Sequence, residues 1–81
     1  MNIYIGNLNY RVREEGLRSI LEEYGVVDSV KIVKDRDTGR SKGFAFAEMP
    51  DNGEAEAAIE QWNGTDYEGR TMVVKEARPR E

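Results

Sequence analysis

The sequence predicts an α+β fold, four strands and two helices in the order βαββαβ, with both helices on one face of a four-stranded antiparallel sheet. Three observations lead there. Residues 14 to 24 and 51 to 62 each carry a single apolar stripe at helical spacing, so each helix has one face to bury. Four short runs rich in β-branched and aromatic residues flank and separate these segments as strands. The third observation is the sense of alternation in residues 42 to 49, Lys-Gly-Phe-Ala-Phe-Ala-Glu-Met. As a strand it sets Phe44, Phe46 and Glu48 on one side with Lys42, and Ala45, Ala47 and Met49 on the other. Rings that share a side with charges imply a sheet face left open to solvent.

Taken in order, Ile3 to Ile5 forms the first strand, with Ile3 and Ile5 inward, Tyr4 outward and Gly6-Asn7 ending it. The helix over 14 to 24 buries Leu17, Ile20, Leu21 and Tyr24 and stops at Gly25. Its start is weak, because Arg13 offers no capping oxygen and Gly16 occupies the first turn. Val26 to Lys34 is the second strand, Val30 and Ile32 alternating with Ser29, Lys31 and Val33, and Asp35 to Ser41 is a turn into the third. Asp51 with Glu54 three residues on has the form of an N-cap and capping box. It opens a helix whose stripe is Ala55, Ala58, Ile59 and Trp62 and which ends at Asn63-Gly64. Thr71 to Glu76 is the last strand. Residues 1 to 77 thus make one domain and residues 78 to 81 a short tail. In this split, ferredoxin-like βαβ arrangement the first and third strands are central neighbours, which sets Tyr4 beside Phe44 and Phe46. A contiguous exposed aromatic patch of that kind usually marks a binding site.

The 81 residues contain no Cys and no His, which removes disulfides, thiol nucleophiles, imidazole bases and the common zinc sites. We therefore expect no metal, no cofactor and no enzymatic activity. No run approaches the ~18 apolar residues of a membrane helix and no signal-peptide pattern is seen, so the expectation is a soluble, cytoplasmic monomer with no membrane contact. The net charge of −4 argues against an indiscriminate polyanion binder, but the charge is segregated. Residues 31 to 42 hold Lys31, Lys34, Arg36, Arg40 and Lys42 against Asp35 and Asp37, whereas 51 to 62 hold Asp51, Glu54, Glu56 and Glu60 with no cation. One basic and one acidic face are expected.

Ile3-Tyr4-Ile5-Gly6-Asn7-Leu8 and Lys42-Gly43-Phe44-Ala45-Phe46 resemble the two signatures of the RNA recognition motif family, a hexamer on the first strand and the opening of an octamer on the third. The resemblance covers essentially the whole chain, in the style of compact single-motif bacterial and glycine-rich RNA-binding proteins. It implies binding of single-stranded RNA, with single-stranded DNA left open. Tyr4 and Phe46 would stack under successive bases, Phe44 would pack on sugars, and Lys42 would reach a phosphate. Lys31, Lys75 and the strip from Lys75 to Arg78 correspond to positions that contact base edges in family members. Arg40 joins Lys42 as a candidate nucleic-acid contact in the basic turn. The chain departs from the family at Ala47 and Met49, where Val and an aromatic are usual, but alternation places both on the buried side. Arg13, Gly16 and Trp62 also depart from it.

Other readings are weaker. Trp62 and Tyr24 fall on helix stripes and belong to the core, and pattern alone gives Tyr10 and Tyr67 no role. Glu14, Glu15, Glu22 and Glu23 lie largely off the apolar stripe, as a solvated helix face would. The Asp35 to Gly39 turn lacks the ligand spacing of a calcium loop. Asn63-Gly64-Thr65 is a helix-ending turn before it is a glycosylation acceptor. The alternative function is a protein-interaction module of the same fold that uses the acidic helix face to hold a basic partner.

Overall fold

The structure, a computed structural model, describes residues 1–77, and Arg78 with the rest of the tail lies outside them. The elements are β1 (Asn2–Gly6), α1 (Glu14–Glu22), β2 (Ser29–Lys34), β3 (Ser41–Glu48), α2 (Asn52–Trp62), β4 (Asp66–Tyr67), β5 (Arg70–Thr71) and β6 (Val73–Ala77). Four of the strands form one antiparallel sheet in the order β2-β3-β1-β6, so β1 and β3 are the central pair, as the sequence predicts.

Alternation sorts the sheet into two faces. Ile3, Ile5, Ile32, Ala45, Ala47 and Val74 point inward and join Leu17 and Leu21 of α1 and Ala55 and Ala58 of α2 in one buried cluster. Because both helices feed the same cluster, they cover the same face. Ala45 and Ala47 on β3 and Ala55 and Ala58 on α2 are small members of that cluster, and the long side chains of Met49 and Met72 are fully buried with them. Trp62 and Tyr24 pack against the cluster from its margin.

Both helix starts follow the sequence reading. Asp51 accepts a hydrogen bond from the Glu54 backbone N–H at 3.0 Å, whereas the Arg13 side chain makes no cap for α1. The α1 start is held differently. The Glu14 carboxylate accepts the backbone N–H of Ile32 at 2.9 Å, pinning the first turn to the outer edge of β2. On the opposite edge the Asn63 side chain, just past α2, accepts the backbone N–H of Val74 on β6 at 3.1 Å. Each edge strand thus has one of its outward donors satisfied by a side chain at a helix end.

Several boundaries differ from expectation. Helix α1 stops at Glu22 because the chain tightens, Tyr24 N–H donating to Leu21 O at 3.0 Å rather than to the carbonyl four residues back. Pairing of β2 begins only at Ser29, opposite Glu48, and Val27 before it plugs the core from a loop. The last strand starts at Val73, and a hairpin that the sequence reading lacks, β4-β5, precedes it. Its two turn residues, Glu68 (φ 51°) and Gly69 (φ 82°), both have positive φ, the geometry that suits a two-residue hairpin turn. The hairpin is clasped to the β1-α1 loop by Asn7 Nδ2 to Thr71 O (2.7 Å), Asn9 Nδ2 to Glu68 O (3.1 Å) and Arg70 Nη2 to Asn7 Oδ1 (2.8 Å). It also explains Gly16. A methyl group there would stand 2.7 Å from the Tyr67 hydroxyl, so α1 gives up a better helix former to admit the ring. Burial, and then the adjacent Glu68 carboxylate, raise the Tyr67 phenol above its ordinary 10.0.

Candidate nucleic-acid interface

The sheet face away from the helices carries the three outward aromatics in a triangle. Ring centroids are 5.9 Å apart for Tyr4 and Phe44, 5.8 Å for Tyr4 and Phe46, and 6.0 Å for Phe44 and Phe46. Register produces this. Tyr4 on β1 is directly opposite Phe46 on β3, and Phe44 is two residues further along the same face. The Tyr4 and Phe44 planes are tilted by 30°, while Phe46 stands at 63° to Tyr4 and 88° to Phe44. Edge-to-face contact of this kind holds Phe46 against both of its neighbours. Phe46 is 42% exposed, a large apolar ring held in water.

Tyr4 lies flat because Gly6 allows it. A methyl at Gly6, two residues along on the same face, would stand 2.5 Å from the Tyr4 hydroxyl and 2.7 Å from Cε1. The ring therefore rests over bare backbone and turns its π face outward. Sequence pattern reads Gly6 only as a strand end; its role in seating Tyr4 comes from the geometry.

Cations flank the rings in register. Lys31 on β2 is opposite Phe46, and Lys75 on β6 is opposite Tyr4, so one row across all four strands reads Lys31, Phe46, Tyr4, Lys75. The Lys75 ammonium lies 5.3 Å from the Tyr4 ring centroid, within cation-π range. The next row toward the end of β3 is Ser29, Glu48, Asn2 and Ala77, polar in three of its four members. Its carboxylate and amide stand beside the aromatic row.

Lys42 and Arg40 are placed apart from that row. They lie at the other end of β3, where the β2-β3 register shifts between Ile32 and Lys34 and Gly43 adopts φ 84°. There they line a groove. Arg78 falls outside the described residues. The face thus brings together Tyr4, Phe44, Phe46, Lys31 and Lys75, and puts Lys42 and Arg40 at one margin.

Such an arrangement offers ring faces and positive charge side by side. Among the described residues no three His, Cys, Asp or Glu side chains gather as a metal site, and no helix is long and apolar enough to cross a membrane.

Comparison with known proteins agrees with the geometry. A family model described as "RNA recognition motif" matches residues 3–73. A Nostoc sp. protein named "Putative RNA-binding protein RbpB" is 48% identical over 81 residues, which is 100% of this chain and 79% of that protein. The crystal structure of RNA binding protein PG1 superposes with a TM-score of 0.96 at 53% identity, covering 100% of this chain and 98% of that one. A structure of the Rna15 motif with bound RNA (GU) superposes with a TM-score of 0.85 at 29% identity, covering 96% of this chain and 83% of that one.

Proposed function

The chain belongs to the RNA recognition motif family, and we propose that its open sheet face binds a short stretch of single-stranded RNA by stacking bases on Tyr4 and Phe46, packing sugars on Phe44 and drawing phosphates to Lys31 and Lys75. The observation that carries this reading is the row Lys31, Phe46, Tyr4, Lys75, in which the exposed Phe46 ring and the half-buried Tyr4 ring are bracketed by cations from the two edge strands. Phosphodiester charge is met at the flanks and base faces are met in the middle.

Each stacked base contributes ~1–3 kcal/mol, so Tyr4 and Phe46 supply roughly 2 to 6 kcal/mol, and sugar packing on Phe44 with the phosphate contacts supplies the rest of the ~8 kcal/mol that micromolar affinity needs. Stacking tolerates any base, so single-stranded DNA is a second ligand of the same surface. The Phe46 plane stands at 63° to Tyr4, a geometry suited to bases that are splayed rather than stacked on each other. One chain is the unit of binding in this reading, since it supplies all three rings and both lysines. It acts as a binding module, without metal or catalytic step.

Chemical-shift mapping with a pool of randomised single-stranded RNA tests the proposal. Movement of the Tyr4, Phe44 and Phe46 signals is expected. Silence on this face with movement on the exposed acids Glu56 and Glu60 of α2 would hand the function to a protein partner.

A further inference from the structure

The margin of the binding face opens into a groove of about 1340 Å³ between the β1-α1 loop and the β2-β3 turn, with cations on both walls: Arg11 and Arg13 from the loop, Lys34, Arg40 and Lys42 from the strands and turn. Among the described residues none of these five is in an ion pair, in contrast to Arg18, which is paired with Glu22 at 3.5 Å. Three carboxylates share the groove, Glu14, Glu15 and Asp35, and two of them are also tied to backbone N–H groups. Glu14 accepts the Ile32 N–H, and Asp35 accepts the backbone N–H of Asp37 at 2.8 Å and of Thr38 at 3.4 Å within its own turn. Five cations against these three carboxylates leave a balance of +2, so the groove is a net attractor for anions.

Its second feature is aromatic. Tyr10 lines the groove and is 68% exposed, the most exposed large apolar side chain among the described residues. The ring is seated. A methyl at Gly43 would lie 3.5 Å from Tyr10 Cε1 and 3.2 Å from Leu8 O, and Leu8 N–H donates to Gly43 O at 2.8 Å, so the loop is drawn down against the start of β3. The groove also connects with the sheet. A smaller hollow along the β2 edge, which contains Lys31 and Phe46, shares Glu14, Ile32 and Lys34 with it.

We propose that this groove receives the next nucleotides of the same RNA strand after it passes from Phe46 over the β2 edge, with the Tyr10 ring as a fourth stacking surface and the loop and turn arginines along the phosphates. The assignment rests on the sheet-face reading above, and charge complementarity together with continuity to that face argues for it. It lengthens the footprint beyond what three rings on a sheet can cover.

The test is binding by fluorescence anisotropy of labelled randomised RNA tetramers and octamers, at several salt concentrations. For the parent chain the octamer-to-tetramer affinity ratio exceeds the gain from extra binding registers alone. In Tyr10→Ala that ratio falls at least fivefold, the size of one lost stack, while Tyr10→Phe retains it. In Arg13→Gln the octamer salt slope flattens by about 0.7, one phosphate contact on a single strand. An unchanged ratio in Tyr10→Ala, or equal losses on both lengths, overturns the groove. Phe46→Ala separates the two readings. If it weakens both oligonucleotides while Tyr10→Ala leaves the ratio intact, the sheet face stands and the groove fails; if Phe46→Ala weakens neither, both fail.

Discussion

The Tyr4 ring is seated on Gly6. A side chain at position 6 would collide with the Tyr4 hydroxyl at 2.5 Å and with the ring at 2.7 Å, so the flat presentation of the first stacking surface depends on a hydrogen atom two residues away. Gly6→Ala should therefore tilt Tyr4 out of the plane that a base needs, although Ala is otherwise tolerated in a strand. RNA affinity is expected to fall by ~1 kcal/mol, the lower end for loss of one stacked base. A Gly6→Ala variant that binds as the parent does, in a background where Tyr4→Ala is impaired, would show that ring orientation is immaterial.

Phe46→Ala removes the most exposed ring of the triangle. The expected loss is about 5- to 150-fold in affinity, equivalent to ~1–3 kcal/mol per stacked base. Thermal unfolding should register less than about 1 kcal/mol, since a ring 42% exposed leaves no sealed cavity when truncated. Titration and melting curves on the same preparation separate the two effects.

Lys31 and Lys75 bracket the rings from opposite edges, and their charges should appear in the ionic-strength dependence. For Lys31→Gln the plot of log K against log salt is expected to flatten by about 0.7. Lys75→Gln should flatten it by a similar amount and also lose the cation-π support of Tyr4, on the order of 0.5–1 kcal/mol at an exposed site. Slopes identical to the parent's would place both ammonium groups away from phosphate.

Gly16 and Tyr67 should be energetically coupled. In an exposed helix Gly→Ala gains up to about 1 kcal/mol, but here the new methyl would meet the Tyr67 hydroxyl at 2.7 Å. Urea unfolding of Gly16→Ala should show no gain, whereas the same change in a Tyr67→Phe background should recover about 0.5–1 kcal/mol. A double-mutant cycle that closes to zero would mean the hydroxyl moves aside freely.

The alternation of 42 to 49 exposed the working face to sequence reasoning, because rings on the charged side of a strand conflict with two-sided burial. The helices were legible through their stripes, and the start of α2 through Asp51 and Glu54. What pattern could not convey was space. Gly6 and Gly16 look like a strand end and a helix flaw, and only the rings of Tyr4 and Tyr67 lying where a Cβ would be give them a purpose. The β4-β5 hairpin escaped notice because two-residue strands are too short to alternate, and Glu68 is an unusual residue for positive φ. Glu14 read as one of several solvated acids, since its bond to Ile32 joins positions 18 residues apart. The groove that Lys42 and Arg40 line lies beside a register shift that simple alternation does not foresee.

The two side chains that close the sheet margins, Glu14 on Ile32 and Asn63 on Val74, bear on how copies of this protein share a long transcript. A strand from a neighbouring molecule that tried to add to either edge would find one of its hydrogen-bond sites already taken. Adjacent molecules on one RNA would then sit like separate beads, each free to leave on its own, instead of fusing into a continuous ribbon.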